Sequence, residues 1–436
     1  MTNISAVVLA MAAGIIVSRI LGPERRGYMA LVVQAATMIF SFTHLGVGSS
    51  ITYFTGKKTF PRGNVLGFLL IFSAVFGGVF AGIFYFIYPY ISNIWVDIPR
   101  DIMIIGLIAV PFIFFNNLFK RFLLAMLLVK QSNIANIIRY IVYLVLVAIF
   151  LFLFNGGTRE VVISFTASMA ITAAICLALF TKESRPLGMI RKDMIKPFFT
   201  YGPKLYLGFL FREINNRVGI FIIKYYMTAS DVSYYQIALN ISERLWLVPT
   251  ALTFVLYPTL LAMKKDDSSR FSAKVCRNNL FFMVLLSVLL LIFGKFMVLL
   301  VYGEQYANVA KAIYSLLIAI TIWPVYNMIA IDFASRDRIW VIVITSFIGA
   351  VVNITCNFIF IQRFGLIGAG MATCVSNIVM VSLIVGYFVR NTGIPLREVL
   401  VPTREDIVSY RDAAFRLLKK VRGMINRNEK DNGDGS

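Results

Sequence analysis

The sequence has few charged residues and almost no histidine. Asp, Glu, Lys and Arg make up 14% of the 436 residues, and His44 is the one histidine. A soluble domain carries roughly 25% charged residues, so we do not expect a soluble fold. The single histidine excludes a histidine-cluster metal site. No two cysteines form a CxxC pair, so neither a zinc site nor a disulfide framework is expected; they are Cys176, Cys276, Cys356 and Cys374.

Motifs for catalysis and for nucleotide binding are also lacking. There is no Walker loop, so ATP hydrolysis is not expected, and no nucleophile stands beside a candidate base. We therefore predict that the chain is not an enzyme and has neither catalytic residues nor a cofactor. The formal net charge of +21 would suit a nucleic acid ligand, but RNA-binding aromatic motifs are absent. Membrane proteins also collect Lys and Arg in their cytoplasmic loops, and we favour that explanation.

Long apolar stretches are abundant, and 59% of the residues are hydrophobic. A membrane-spanning helix needs roughly 20 mostly apolar residues. Twelve stretches qualify, and they predict an all-α polytopic membrane protein of about twelve transmembrane helices in two six-helix bundles around a central cavity. The stretches are 3–20, 28–54, 65–89, 101–121, 134–154, 160–180, 203–226, 232–261, 279–301, 309–333, 338–361 and 366–390.

Loop charges predict the orientation. Most loop Lys and Arg residues follow even-numbered helices, which places those loops and both termini in the cytoplasm. The basic segment 181–202 joins two halves that carry similar tight turns, at Leu21–Tyr28 and Met227–Tyr234. We therefore predict four parts: an N-terminal bundle over 1–180, a cytoplasmic connecting segment over 181–202, a C-terminal bundle over 203–390, and a cytoplasmic tail over 391–436.

The tail is predicted to form one amphipathic helix. Thr403 and Asp406 stand at capping-box spacing, and an apolar stripe with flanking Lys and Arg follows them. Such a helix would lie on the inner membrane surface. An ordinary solvated helix fits the same pattern nearly as well.

Charges within the seventh and eighth stretches are the main candidates for function. An intramembrane charge costs free energy, roughly 2.5–3.5 kcal/mol on insertion scales, so each needs a partner or a role. Glu213 and Arg217 stand at i,i+4 spacing and can pair. A structural ion pair between helices and a place on a cavity are both open. The neighbouring polar residues are Arg212, Asn216, Asn240, Glu243 and Arg244.

Three other polar residues have simpler explanations. Lys224 and Arg139 are expected to extend to the membrane interface, since both lie near a predicted helix end. His44 lies well inside the second stretch, where a packing role is favoured over that of a proton carrier.

Four local patterns resemble one family. Ile20–Gly27 resembles the first external turn of bacterial polysaccharide transporters, the O-antigen and capsule flippases. Tyr234–Ala238 resembles their entry into helix eight, Tyr302–Tyr306 their turn after helix nine, and Arg363–Ala372 their turn into helix twelve. The patterns run from about residue 14 to residue 390 in the family's order. The chain is therefore similar to members of the multidrug/oligosaccharidyl-lipid/polysaccharide exporter superfamily.

The resemblance implies transport for surface polysaccharide biosynthesis, of lipopolysaccharide or capsule. The protein would carry undecaprenyl-pyrophosphate-linked oligosaccharide repeat units from the inner to the outer leaflet of the cytoplasmic membrane by alternating access. Its partners would be this anionic lipid-linked substrate and the membrane, with a polymerase and chain-length machinery acting afterwards and no nucleic acid. The alternatives are an ion-coupled drug exporter of the same superfamily and a membrane polysaccharide polymerase.

Under this resemblance, Arg212 and Arg217 are expected to hold the pyrophosphate, because a guanidinium binds phosphate bidentately. The further substrate-binding candidates are Arg244, Asn216 and Asn240. Ion-coupling candidates are Glu213, Glu243 and His44, with protons and sodium both open as the coupling ion.

Overall fold

The protein is described from a computed structural model that covers residues 2–91, 94–95, 97–180, 188, 190–247, 249, 256, 259–260, 263, 265–403 and 406. Within these ranges the regular structure is helical. The α-helices are α1 (Thr2–Thr43), α2 (Val47–Gly56), α3 (Arg62–Ile87), α4 (Arg100–Ala125), α5 (Val129–Ala148), α6 (Thr158–Phe180), α7 (Lys192–Tyr226), α8 (Ala229–Leu245), α9 (Lys265–Tyr302), α10 (Asn308–Ser335), α11 (Ile339–Thr392) and α12 (Leu396–Leu400). Short 3₁₀ turns cover Tyr88–Tyr90 and Glu304–Tyr306, and a π-helical turn covers Ile149–Leu153.

Eight helical stretches of the described residues are long and apolar enough to cross a membrane. Two of them, in α1 and α11, each contain two of the predicted crossings, since a bilayer core of about 30 Å takes some 20 helical residues. Each contains a glycine outside helical geometry: Gly22 in α1 (φ 74°) and Gly365 in α11 (φ 56°). These residues lie in the turns predicted after the first and the eleventh stretches. With the more polar α7 and α8, the helices account for the twelve predicted crossings.

The second crossing is not one continuous helix. Backbone at His44–Gly46 leaves the helical conformation, with positive φ at Leu45 (48°) and Gly46 (70°), and α2 begins at Val47. The prediction of an unbroken helix over 28–54 is therefore wrong at this point. Hydropathy did not mark the break, because the residues on either side of it are apolar.

α2 packs tightly against the start of α7. A methyl group added at Gly46 would lie 2.2 Å from the carbonyl oxygen of Gly202, so only glycine fits there. The hydroxyl of Ser50 donates to the carbonyl of Phe198 at 2.6 Å, and the hydroxyl of Tyr206 donates to the carbonyl of Ser41 at 2.7 Å. α7 begins at Lys192 rather than near residue 203, since the helix continues past its apolar part.

The chain divides into two compact units. The first comprises Met1–Arg244, Leu289–Ala319 and Ile339–Met380, and the second comprises Leu245–Val288, Ile320–Arg338 and Val381–Ser436. Buried aromatic side chains such as Phe114, Tyr235 and Tyr306 fill the first unit. The division into domains at residues 181 and 203 stays a prediction.

A buried polar cluster characterises the second unit. Asp332, which is fully buried, accepts hydrogen bonds from Ser272 and Arg336. Arg277 of α9 is ion-paired with Asp406. Asp406 also accepts from the backbone and hydroxyl of Thr403, at 2.9 and 2.7 Å, which confirms the predicted capping box. The amphipathic helix predicted beyond it lies outside the described residues.

Candidate functional site

A cavity of about 340 Å³ with both polar and apolar lining residues lies within the first unit. It is lined by α1, α5, α6 and α8, so both halves of the sequence contribute to it. Apolar side chains, such as Met29, Val33 and Phe165, cover one part of the wall. The polar lining residues include Arg26, Arg139, Tyr140, Gln236, Asn240 and Arg244.

Three arginines give this cavity its charge. Arg26, 8% exposed, donates to the carbonyl and the hydroxyl of Ser233 at 3.2 and 3.1 Å. The guanidinium of Arg139 lies 4.5 Å from the centre of the Tyr140 ring, and its Nε atom is buried without a hydrogen-bond partner. Arg244 is half-buried on α8. No Asp or Glu is among the described lining residues, so the cavity suits an anion.

The cavity contains two predicted residues and two that sequence analysis missed. Arg244 and Asn240 are among the substrate-binding candidates, and both line the wall. Arg26 was assigned to a loop and Arg139 to the membrane interface. The structure places Arg139 on α5, which begins at Val129, and on the wall of this cavity, and its extension to the membrane interface stays a prediction. The position of Arg139 inside a long apolar stretch was the available signal.

A cluster of three charges joins α7 to α8. Arg217 Nη2 lies 2.8 Å from Glu243 Oε1, and Arg217 Nε lies 3.6 Å from Glu213 Oε1. The predicted pairing of Glu213 with Arg217 is confirmed, with Glu243 as a second and closer partner. The three side chains are 21–27% exposed. Two carboxylates around one guanidinium make the cluster suitable for holding a cation or a proton.

Arg212 and Asn216 lie half-buried on α7. They are not among the residues that line the cavity with Arg26, Arg139 and Arg244, which is called the arginine cavity below. Their neighbour Asn215 is buried and donates to Asn377 of α11 at 3.0 Å. Substrate binding by Arg212, Arg217 and Asn216 stays a prediction.

His44 lies at the break between α1 and α2, and it is 4% exposed. Its ring stacks on Phe40 at 4.8 Å and meets Tyr206 edge-on at 4.7 Å. Its Nδ1 atom is 3.1 Å from the carbonyl of Phe40, and this contact suits the tautomer with a proton on Nδ1. These contacts are those of a packing residue. Its role as a proton carrier stays a prediction.

Lys224 lies near the C-terminal end of α7 and forms an ion pair there, and its extension to the membrane interface stays a prediction. Its side chain is 7% exposed, and its Nζ lies 2.6 Å from Asp97 Oδ2. The carboxylate of Asp97, in the loop before α4, is therefore the counter-charge for the ammonium group of Lys224 at the end of α7.

Three of the segments that resemble the transporter family meet in this unit, beside the turn at Gly22. Arg19 donates to the carbonyl of Leu300 at 2.6 Å, and Tyr306 donates to that of Ser18 at 2.8 Å. Tyr234 donates to the carbonyl of Gln305 at 3.2 Å. The turns after the first, seventh and ninth crossings are therefore tied together by hydrogen bonds to backbone carbonyls.

Among the described residues, no group of three or more His, Cys, Asp or Glu side chains could hold a metal ion. The candidate site consists of the cavity with three arginines and the pair of helices linked by Arg217.

Solved structures of transporters share this fold. An inward-facing multidrug resistance MATE family transporter of the MOP superfamily matches with a TM-score of 0.73 and 16% identity, over 89% of this chain and 96% of its own. The lipid II flippase MurJ, in an inward closed conformation, matches with a TM-score of 0.72 and 15% identity, over 91% of this chain and 88% of its own.

An outward-facing MATE family transporter matches with a TM-score of 0.65 and 14% identity, over 90% of this chain and 93% of its own. These likenesses confirm the predicted fold class, an all-α polytopic membrane protein with about twelve transmembrane helices in two six-helix bundles.

None of the curated proteins matches the sequence. The family described as "Polysaccharide biosynthesis protein" matches residues 16–311, which is most of the chain. The fold of this chain is that of the MOP superfamily transporters. Its helices are those of a multi-pass membrane protein. The chain belongs to the polysaccharide biosynthesis protein family.

Proposed function

We propose that this protein is a flippase that carries undecaprenyl-pyrophosphate-linked oligosaccharide repeat units across the cytoplasmic membrane, for lipopolysaccharide or capsule biosynthesis. The observation that carries the proposal is the cavity with Arg26, Arg139 and Arg244 and no described carboxylate in its wall. Buried cations without acidic partners are costly in a membrane. An anionic substrate supplies the missing negative charge.

The cavity offers a distinct set of contacts for each part of such a substrate. Guanidinium groups bind phosphate oxygens bidentately and at short distance, so Arg139 and Arg244 hold the pyrophosphate. Asn240, Gln236 and Tyr140 offer hydrogen bonds to sugar hydroxyls. The apolar part of the wall suits the first isoprene units of the lipid.

In this proposal Arg26 links substrate binding to the turns at one end of the helices. It already donates to Ser233, so it connects the cavity to the tied turns after the first and seventh crossings. Substrate phosphate competes with Ser233 for the same donor. Loading the cavity therefore weakens a contact that closes this end of the protein, as alternating access requires.

Transport is coupled to its energy source through residues that do not line the cavity. Glu213 and Glu243 share Arg217, and protonation or sodium binding at this pair would change the contact between α7 and α8. His44 remains a third candidate for coupling. The polymerase and chain-length proteins act on the product after it reaches the outer leaflet.

The test is complementation of a deletion strain. Arg244→Ala and Arg139→Ala are expected to reduce surface polysaccharide roughly tenfold or more, since a charge-assisted hydrogen bond contributes about 1.5–3 kcal/mol. Lipid-linked repeat units then accumulate on the inner leaflet, and protein abundance stays near normal. Arg244→Lys is expected to restore export only in part. Arg338→Ala, at a half-buried arginine that does not line the cavity, is the matched control and exports normally.

Two results would contradict the proposal. If the deletion strain displayed single repeat units outside but no polymer, the protein would be a polymerase. If surface polysaccharide were unchanged while sensitivity to cationic drugs rose, the protein would be a drug exporter, and the arginine cavity would have another occupant.

A further inference from the structure

A second, smaller cavity of about 180 Å³ lies between α4, α5 and α6. It shares Arg139 and Tyr140 with the arginine cavity, and its remaining walls are separate. Its lining is polar, with Asn116, Ser132 and Thr172 facing one another from three helices. Apart from the shared Arg139 and Tyr140, none of its lining residues has a part in the proposed transport cycle.

Buried polar atoms without partners are concentrated here. Asn116 Oδ1, Ser132 Oγ, Arg139 Nε and Thr172 Oγ1 each lack a hydrogen bond, and all four residues line this one cavity. Ser132 is 1% exposed and Thr172 is 2% exposed. An unpartnered buried polar atom costs about 1–3 kcal/mol, so four around one space call for a bound species.

Charge indicates what that species is. Lys120 and Arg139 both line the cavity, and no Asp or Glu is among its described lining residues. Water would satisfy the hydroxyl groups but would leave Arg139 without a counter-ion whenever the arginine cavity holds no substrate. The bound species is therefore an anion.

The hydrogen-bonding pattern narrows the choice of anion. Arg139 Nε is a donor, whereas Asn116 Oδ1 is an acceptor, because the Asn116 amide group already donates to the carbonyl of Met169 at 3.0 Å. The ligand must accept from Arg139 and also donate to Asn116. Inorganic phosphate keeps at least one hydroxyl group at neutral pH because its third ionisation lies far above pH 7, and a phosphate monoester carries one below its second pKa of about 6, whereas sulfate and chloride have no donor.

We propose that the α4–α5–α6 cavity is a binding site for a phosphate group, held by Arg139, Lys120, Ser132, Thr172 and Asn116. The volume accommodates one phosphate with a few waters, at about 30 Å³ per water. Lys120 is exposed and also lines the cavity, which places the entrance at the end of α4. The phosphate group comes from free inorganic phosphate or from a lipid phosphate monoester.

The test uses purified full-length protein in detergent micelles. Inorganic phosphate, added in exchange for gluconate at constant ionic strength, is expected to raise the melting temperature until the site is saturated. Sulfate and chloride are expected to raise it less. Ser132→Ala combined with Thr172→Val is expected to weaken the apparent phosphate affinity roughly tenfold.

The controls come from the same protein. Ser73 and Thr55 also carry buried hydroxyl groups without a partner, and both lie outside this cavity. Ser73→Ala combined with Thr55→Val is therefore matched in chemistry and is expected to leave the phosphate affinity unchanged. Ser132 and Thr172 do not line the arginine cavity, so failure of this proposal leaves the flippase proposal untouched.

Micelles that contain phosphatidate separate the two sources. A melting-temperature rise with phosphatidate but not with inorganic phosphate assigns the site to a lipid monoester, and the reverse result assigns it to the free ion. The proposal is overturned if neither ligand raises the melting temperature. It is also overturned if the double variant responds as the wild type does, or if sulfate is as effective as phosphate.

Discussion

Arg217 Nη2 and Glu243 Oε1 lie 2.8 Å apart, and this ion pair joins α7 to α8. Glu213 approaches the same guanidinium from one turn earlier on α7. Breaking a buried pair costs about 3–5 kcal/mol because the remaining charge has no partner. These side chains are 21–27% exposed, so solvent reduces that figure.

Arg217→Ala is therefore expected to lower the free energy of unfolding by roughly 2–3 kcal/mol. Denaturation in detergent micelles measures it, and Arg191→Ala, in the exposed pair with Asp193, is expected to cause no measurable change. Adding Glu213→Ala should restore part of the stability. If the double variant recovers both abundance and export, the cluster is purely structural and has no part in binding or coupling.

Gly46→Ala is expected to destabilise the protein by about 2 kcal/mol or more, since it combines a clash with a strained backbone. The new methyl group would meet the carbonyl of Gly202 at 2.2 Å, and φ at residue 46 is 70°. Gly78→Ala is the matched control, because its added methyl group meets nothing within 4 Å. That change should be neutral or stabilising by up to about 1 kcal/mol. Equal melting temperatures for the two variants would contradict the tight α2–α7 contact.

Orientation can be tested with single cysteines in a chain without the four native ones. Arg100→Cys and Lys58→Cys both replace exposed cationic residues. Lys58 lies just before α3, and Arg100 lies after the connection that follows α3. The loop charges predict that an impermeant maleimide labels the first in intact cells and the second only after permeabilisation. Labelling of Lys58→Cys in intact cells would reverse the predicted topology.

The contact of Asp406 with α9 should depend on pH. Burial opposes ionisation of Asp406, but hydrogen bonds from Arg277 and Thr403 outweigh it and hold the pKa at about 2. An unperturbed Asp has a pKa of about 3.9. Because the folded pKa is the lower one, the stabilisation is complete above about pH 4 and is lost as the pH falls towards 2.

Hydrogen exchange of residues 396–403 measures this transition, and its rate is expected to rise as the pH approaches 2, after correction for intrinsic exchange. Arg277→Gln should move the transition upward, towards the ordinary pKa of Asp. An unchanged transition in that variant would show that Arg277 does not hold the carboxylate.

Sequence analysis predicted the helical segments better than it predicted the cavity. The length of an apolar stretch defines a membrane crossing, and a glycine allows the chain to reverse its direction. The turns at Gly22 and Gly365 were therefore predictable from the local sequence. The Glu213–Arg217 pair followed from helical spacing within one segment. Local patterns of this kind depend on residues a few positions apart.

The missed residues depend on contacts between distant segments. Arg26 and Arg139 come from α1 and α5, and nothing in their local sequences indicates that they face the same space as Arg244. Lys224 meets Asp97 across 127 positions of sequence. Hydropathy locates a charge within a helix, but it does not identify the side of the helix or the neighbour.

Because of the break at His44–Gly46, α2 is a separate helix that can rotate as a rigid body about Gly46. Its ten residues measure about 15 Å, so a 20° swing about Gly46 moves the far end, near Gly56, by about 5 Å. Such a swing leaves the hydrogen bonding of α1 intact. The displacement is limited by the packing of α2 against α4 and α7 and by the hydrogen bond of Ser50 to Phe198, which must break before α2 can turn away from α7.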